Sequence, residues 1–169
     1  LLFNKSIDRI KSLGIFKKVD TKIKSGSNEN LKIVDITVEE KPTGEITLAA
    51  GVGTSGSTIG GGITEKNFLG KGINLQTDLQ ISEEKIKGKF IYSKPNFNYS
   101  ENTLFTSFKS SNTDRIKDFG YETTDLGVSL GTKFEQFENL FFSPELDISL
   151  EDLKTTSAAS TNLKKQAGN

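Results

Sequence analysis

The 169-residue chain contains neither cysteine nor histidine. Without cysteine there is no disulfide framework and no thiolate site, and without histidine the commonest metal ligand and general base are missing. No cofactor, metal or enzymatic activity is therefore expected. Net charge is absent as well, since 22 basic residues balance 22 acidic ones. No long block of one sign occurs, so the electrostatic footprint of a nucleic-acid binder is missing and nucleic acid is not expected as a partner. Apolar residues make up only 33% of the chain, and no run approaches the roughly 18 residues of a transmembrane helix. The N-terminus also lacks the basic-then-apolar order of a signal peptide. A membrane β-barrel survives these exclusions, because a spanning strand needs only about 9–11 residues with every second one apolar. The absence of cysteine suits a protein that crosses an oxidising compartment unfolded.

The pattern along the chain is first helical and then alternating. Phe3, Ile7, Ile10 and Leu13 recur at helical spacing between Leu2 and Leu13, with Asn4, Lys5, Asp8 and Arg9 mostly elsewhere. Gly14 supplies a left-handed stop, after which Ile15 and Phe16 re-enter the core. Val19, Thr21 and Ile23 then alternate with lysines and Asp20. A polar turn from Ser25 to Asn30 follows, and a second arm from Leu31 to Glu39 completes a predicted hairpin. Lys41-Pro42-Thr43-Gly44 breaks the pattern, which places a domain boundary there and divides the chain into residues 1–41 and 42–169.

Beyond the boundary, alternating segments repeat. Ile46, Leu48, Ala50 and Val52 share one face, and Ile73, Leu75, Thr77, Leu79 and Ile81 share another, opposite Asn74, Gln76, Asp78, Gln80 and Ser82. A last segment sets Leu140, Phe142, Leu146, Ile148 and Leu150 against Ser143, Glu145, Asp147, Ser149 and Glu151. With further strands over Ser57–Glu65, Lys85–Lys94, Thr103–Ser111 and Glu122–Phe134, about seven meander strands are predicted, with no helix between them. Runs of about 10 residues exceed the five or six usual in soluble strands and favour a barrel. Phe68, Phe90, Tyr92, Phe97, Tyr99, Tyr121, Phe141 and Phe142 are placed near strand ends, where an interfacial girdle requires aromatic residues.

Several motifs are weighed and set aside. Gly51-Val52-Gly53-Thr54-Ser55-Gly56 matches the dinucleotide fingerprint, with Asp78 downstream, but Ser57-Thr58-Ile59-Gly60-Gly61-Gly62 cannot open the helix that would hold a pyrophosphate. A weak Gly-rich hairpin is the better reading. The carboxylate pairs Glu39-Glu40, Glu83-Glu84 and Glu151-Asp152 fall on strand neighbours, whose side chains point to opposite faces and cannot assist each other.

Four segments together carry a family resemblance. Asn4 to Asp20, "NKSIDRIKSLGIFKKVD", resembles the second helix and following strand of a POTRA domain, through Leu13, Gly14, Phe16 and Val19, with Ile15 where an aromatic is common. Val34 to Gly56 resembles the stretch that joins the last POTRA domain to the first barrel strand in the BamA family of outer-membrane assembly factors. Glu65 to Gln76, "EKNFLGKGINLQ", resembles the family turn after the second barrel strand, through Asn67, Phe68, Leu69, Gly70 and Gly72. "YSKPNFNYS" resembles the Tyr-x-x-Pro-x-aromatic element after the fourth.

The resemblance implies a mainly β fold: about 7 of 16 strands of a transmembrane antiparallel meander barrel, preceded by half of an α+β POTRA domain. The chain is then expected to be a piece of a longer protein, in the bacterial outer membrane with its N-terminal part in the periplasm. The implied function is the folding and insertion of nascent outer-membrane proteins, with those clients, accessory assembly lipoproteins and outer-membrane lipid as partners. The strand Gly44, Glu45, Ile46, Thr47, Leu48, Ala49, Ala50, Gly51, Val52, Gly53 would form one side of a lateral gate. Leu31, Ile33, Val34, Ile36 and Val38 would serve strand addition at the hairpin. A TamA-like or two-partner secretion barrel is the nearest alternative, and a soluble β-sheet ligand-binding module is an alternative of another class.

Overall fold

Helix α1 runs from Leu2 to Ser12 in the computed structural model, which describes residues 2–28, 30–53 and 56–167. Ile7 on its apolar face is buried, and Gly14 ends the segment at φ +70°, a backbone state that costs glycine nothing. Ile15 is buried as the chain turns into β1 (Phe16–Ser25), which pairs antiparallel with β2 (Lys32–Glu40). Leu31 stands just outside β2: its N–H donates to Asn28 O at 3.2 Å and its carbonyl accepts from Gly26 N at 2.9 Å, so it closes the turn. Register sets Val19 against Val38, Thr21 against Ile36 and Ile23 against Val34, which gathers one apolar face. Ile33 lies on the other, beside the Lys24–Asp35 ion pair. The chain divides into two compact units between Thr43 and Gly44.

The second unit is an antiparallel sheet. Its main strands are β3 (Gly44–Gly53), β4 (Gly56–Phe68), β5 (Ile73–Ser82), β6 (Lys85–Lys94), β7 (Thr103–Arg115), β8 (Tyr121–Phe137) and β10 (Glu145–Thr155), hydrogen-bonded in that order, while short β9 (Leu140–Phe142) pairs with the end of β8. Their length agrees with the alternation in the sequence. Thr54 and Ser55 of the fingerprint-like segment lie outside the described residues, but Gly53 opposes Gly56 in a β3–β4 hairpin and the segment opens no helix.

Three expectations are corrected. Two short turns do interrupt the strands, a 3-10 turn (Phe97–Tyr99) between β6 and β7 and α2 (Ile116–Phe119) between β7 and β8, and a short helix α3 (Thr161–Gln166) follows β10. The final alternating segment is two strands because Pro144 cannot donate to a ladder; its carbonyl instead accepts from Thr132 N at 3.1 Å. Phe90 is a mid-strand residue paired with Phe108, not a strand-end aromatic.

Candidate functional site

The pairing register gives each face of this sheet a consistent composition. One row joins Ile46, Ile63, Thr77, Phe90, Phe108, Val128 and Ile148 across all seven main strands. These side chains are not a core. Ile46 is 74% exposed, Ile63 60% and Ile148 65%. The opposite face is polar and holds the most deeply buried side chain, Ser129, only 1% exposed and 2.6 Å from Ser107 Oγ. Beside this pair Ser111 Oγ donates to Asp125 at 2.8 Å, and Lys109 Nζ lies 2.7 Å from Asp147 Oδ2. Exposed aliphatics opposite packed hydroxyls invert the arrangement of a soluble sheet and match a wall with lipid outside and water inside.

The apolar band also crosses the rows obliquely. Toward the Gly53 end, the row Ala50, Ile59, Ile81, Ile86, Asn112, Thr124, Asp152 is apolar on β3–β6 and polar on β7–β10. Toward the Gly44 end, the row Glu65, Leu75, Tyr92, Thr106, Leu130, Leu146 is charged at β4 and apolar at β8 and β10. The band's edge therefore shifts by about four residues, or about 13 Å, across about 29 Å of sheet, a slope of about 25°. Strands tilted through a flat slab would produce such a slope, as they are in barrels.

β3 lies at one border of the sheet. Among the described residues it pairs only with β4, and all ten of its residues are exposed. About half of its backbone donors and acceptors point away from β4, given the alternation of an antiparallel pair. Gly51 and Gly53 are not demanded by crowding, since a Cβ built on either meets nothing within 4 Å. The glycines of β4 that oppose Thr47 and Leu48 differ. A Cβ on Gly62 would stand 2.6 Å from Asp78 Oδ1 and 3.0 Å from Thr47 Oγ1, and one on Gly61 3.1 Å from Leu48 Cδ2. The Gly60-Gly61-Gly62 run is conspicuous in the sequence, but its role in letting β3, β4 and β5 approach is visible only in three dimensions. The second edge, on β10, has no counterpart among the residues singled out from sequence.

The family-turn residues converge. Asn67 Oδ1 accepts from Gly72 N at 2.8 Å, its carbonyl accepts from Gly70 N at 2.9 Å, and its own N–H donates to Glu65 Oε1 at 2.7 Å. Leu69, Gly70 and Gly72 all have positive φ, and Phe68 is set against Ile73 by a bulge. In the first unit, Val34, Ile36 and Val38 lie together on one face, Ile33 on the other and Leu31 in the turn, so the five hairpin residues form no single surface.

No protein-family model matches the sequence, and no curated protein matches it. Among solved structures, the chain is similar to the crystal structure of BamA from Haemophilus ducreyi lacking POTRA domains 1–3, with a TM-score of 0.73 and 23% identity. The match covers 88% of this chain and 29% of that one. At that identity the likeness shows the fold: an antiparallel, mainly β architecture of the BamA barrel type, of which this chain spans a minor part.

Proposed function

We propose that this chain belongs to an outer-membrane barrel that folds and inserts other β-barrel proteins, and that β3 is the strand at which a client strand first pairs. The observation that carries the reading is the weakly packing composition of β3, all ten residues of which are exposed, alongside an exposed apolar band. In hydrocarbon each unpaired N–H or C=O costs several kcal/mol, so an edge at membrane depth draws in any strand that can satisfy it. A client strand arriving with its own unpaired groups gains equally, and strand addition needs no nucleotide, metal or covalent step. The small residues Ala49, Ala50, Gly51 and Gly53 leave little side-chain packing to hold a permanent partner, which favours an edge that opens and closes. On this reading the first unit lies in the periplasm, where its hairpin offers further edges to clients or accessory lipoproteins.

A cysteine at Leu48 and another on the last strand of the full-length barrel test the reading. Oxidation is expected to stop client insertion and reduction to restore it. Insertion that continues through a fully formed crosslink would overturn the proposal.

A further inference from the structure

Glu83 and Glu84, neighbours in the β5–β6 turn, send their carboxylates to different elements. Backbone pairing between β4 and β5 ends at Thr58 and Ser82, so Gly56 and the Gly53 end of β3 stand beyond it. The Glu83 side chain takes over there. A Cβ built on Gly56, where φ is +83°, would lie 2.8 Å from Glu83 Cδ and 2.9 Å from its Oε1, so the carboxylate rests against the backbone of the β3–β4 turn. Glu84 serves β7 instead. Its carbonyl accepts from Asp114 N at 2.8 Å, and its Oε2 accepts from Arg115 Nε at 2.8 Å.

Arg115 is also held from its other side. Its guanidinium carbon lies 5.5 Å from the centre of the Phe119 ring, and Phe119 in turn lies 6.5 Å from the ring of Tyr121, the cross-strand partner of Arg115. A planar guanidinium can donate to a carboxylate and lie over a ring at once, which an ammonium does less well. The connection that carries Phe119 is pinned at Gly120, whose carbonyl accepts from Thr156 N at 2.8 Å; a Cβ there would stand 2.5 Å from Ala159 N. The Arg115 and Glu84 side chains are 34% and 28% exposed, against 46% and 40% for the Lys109–Asp147 pair, so solvent screens this contact less. Contacts therefore run without a break from the segment after β10, through Arg115 and the two glutamates, to the β3–β4 turn.

We infer that Arg115 is a positioning residue for β3: through Glu84 it fixes the β5–β6 turn, and through Glu83 that turn fixes the Gly53 end of the strand. Its consequence for client insertion rests on the reading of β3 as the client-pairing strand; its consequence for the position of β3 does not. The strand needs such support. A Cβ on Gly51 or Gly53 meets nothing within 4 Å, so side-chain packing does little to hold this end. A slip of one residue would turn every apolar side chain of β3 to the polar face, and a contact from outside the ladder opposes it. Arg115 thus ties the border strand to β7, four strands along the sheet.

Amide hydrogen exchange of the full-length protein in phosphatidylcholine vesicles tests the inference, with client insertion measured on the same preparations. Arg115→Gln is expected to speed exchange several-fold at residues 48–53 and 56–59 and at the β7–β8 connection, residues 116–121, while residues 146–150 of β10 keep their protection. Glu83→Ala should loosen the β3 and β4 residues to the same extent and leave 116–121 as they were. The reversed pair, Glu84→Arg with Arg115→Glu, should recover most of the protection at β3. Unchanged exchange at 48–53 in Arg115→Gln overturns the inference. Uniform loss of protection across the sheet reports a general loss of stability and overturns it equally, and no recovery in the reversed pair overturns the role of the ion pair. Glu84→Gln, which removes the same ion pair, replaces Arg115→Gln if that variant does not assemble. Insertion should change together with exchange at β3. If β3 loosens as expected and insertion is unaltered, the positioning role of Arg115 stands and the client-pairing reading of β3 is overturned.

Discussion

The ring of Phe105 lies over Gly131, directly across the β7–β8 pair, so that a Cβ on Gly131 would meet Phe105 Cζ, would stand 2.7 Å from Cε2 and would lie 2.9 Å from Pro144 O. The bare glycine is thus covered by its cross-strand neighbour on the polar face. The same device recurs one row group away, where the stem of Lys109 crosses Gly127 on its way to Asp147.

Gly131→Val should lower stability by about 1–3 kcal/mol, the cost of overpacking, because both the ring and the backbone at Pro144 must shift. Phe105→Ala should cost less, about 1 kcal/mol or below, as the loss of one cross-strand contact. The pair should be non-additive: once the ring is gone, valine meets less resistance, and the double variant should be more stable than the sum of single losses implies. Urea unfolding of the reconstituted protein, with the four species compared, measures all three.

At the β4–β5 turn, Leu69 has φ of 57° and is largely exposed, while Asn67 carries the hydrogen bonds. Leu69→Gly should relieve about 1–2 kcal/mol of left-handed strain against about 0.5–1 kcal/mol of added unfolded-state entropy, a net gain of up to about 1.5 kcal/mol. Asn67→Ala should lose about 0.5–1.5 kcal/mol as the Gly72 N–H loses its acceptor, and Asn67→Asp should retain most of it. A shift of the unfolding midpoint in the opposite sense at either position would show that the turn is not held as described.

The glycines on either side of the β3–β4 pair should respond differently to added bulk. Gly62→Ala places a methyl against Asp78 and Thr47 and should destabilise the β3–β5 region by about 1–3 kcal/mol. Gly51→Val adds side chain into open space and raises strand propensity, so stability should hold or rise by up to about 1 kcal/mol. If β3 is the client-pairing edge, the second substitution should nonetheless slow client insertion, because a better-packed edge releases its partner less readily. Unfolding and insertion measured on the same preparations separate the two effects.

Much of the sheet is legible in the sequence because its faces obey a period of two. The parity assigned to Ile46–Val52, Ile73–Ile81 and Leu146–Leu150 holds through the whole register, since one slip would have turned every apolar residue to the polar face. What is not legible depends on contacts or single residues rather than periodicity. Alternation alone stops β4 at Glu65, whereas a bulge carries the strand on to Phe68. Pro144 divides a pattern whose alternation from Phe142 to Leu150 is otherwise unbroken, and the α2 turn has too few residues to show a helical repeat. Which strand would be an edge is a property of the pairing, and the glycines of β3 and β4 look alike in sequence although only those of β4 are crowded.

Val128 offers the sharpest discrimination between a lipid-facing and a water-facing band. It lies in the central row, between Phe108 and Ile148, and is half exposed. In water, replacing such a valine with arginine costs little, because the long side chain reaches solvent without disturbing the strand. At the midplane of a bilayer the same replacement costs about 2–4 kcal/mol, falling to about 0–1 near the interfaces. Val128→Arg should therefore be strongly destabilising in vesicles, and Thr132→Arg, four residues nearer the Gly44 end on the same face, should be tolerated far better. Equal and small effects at both positions would mean that the band does not face lipid, and the soluble-module alternative would then regain its standing.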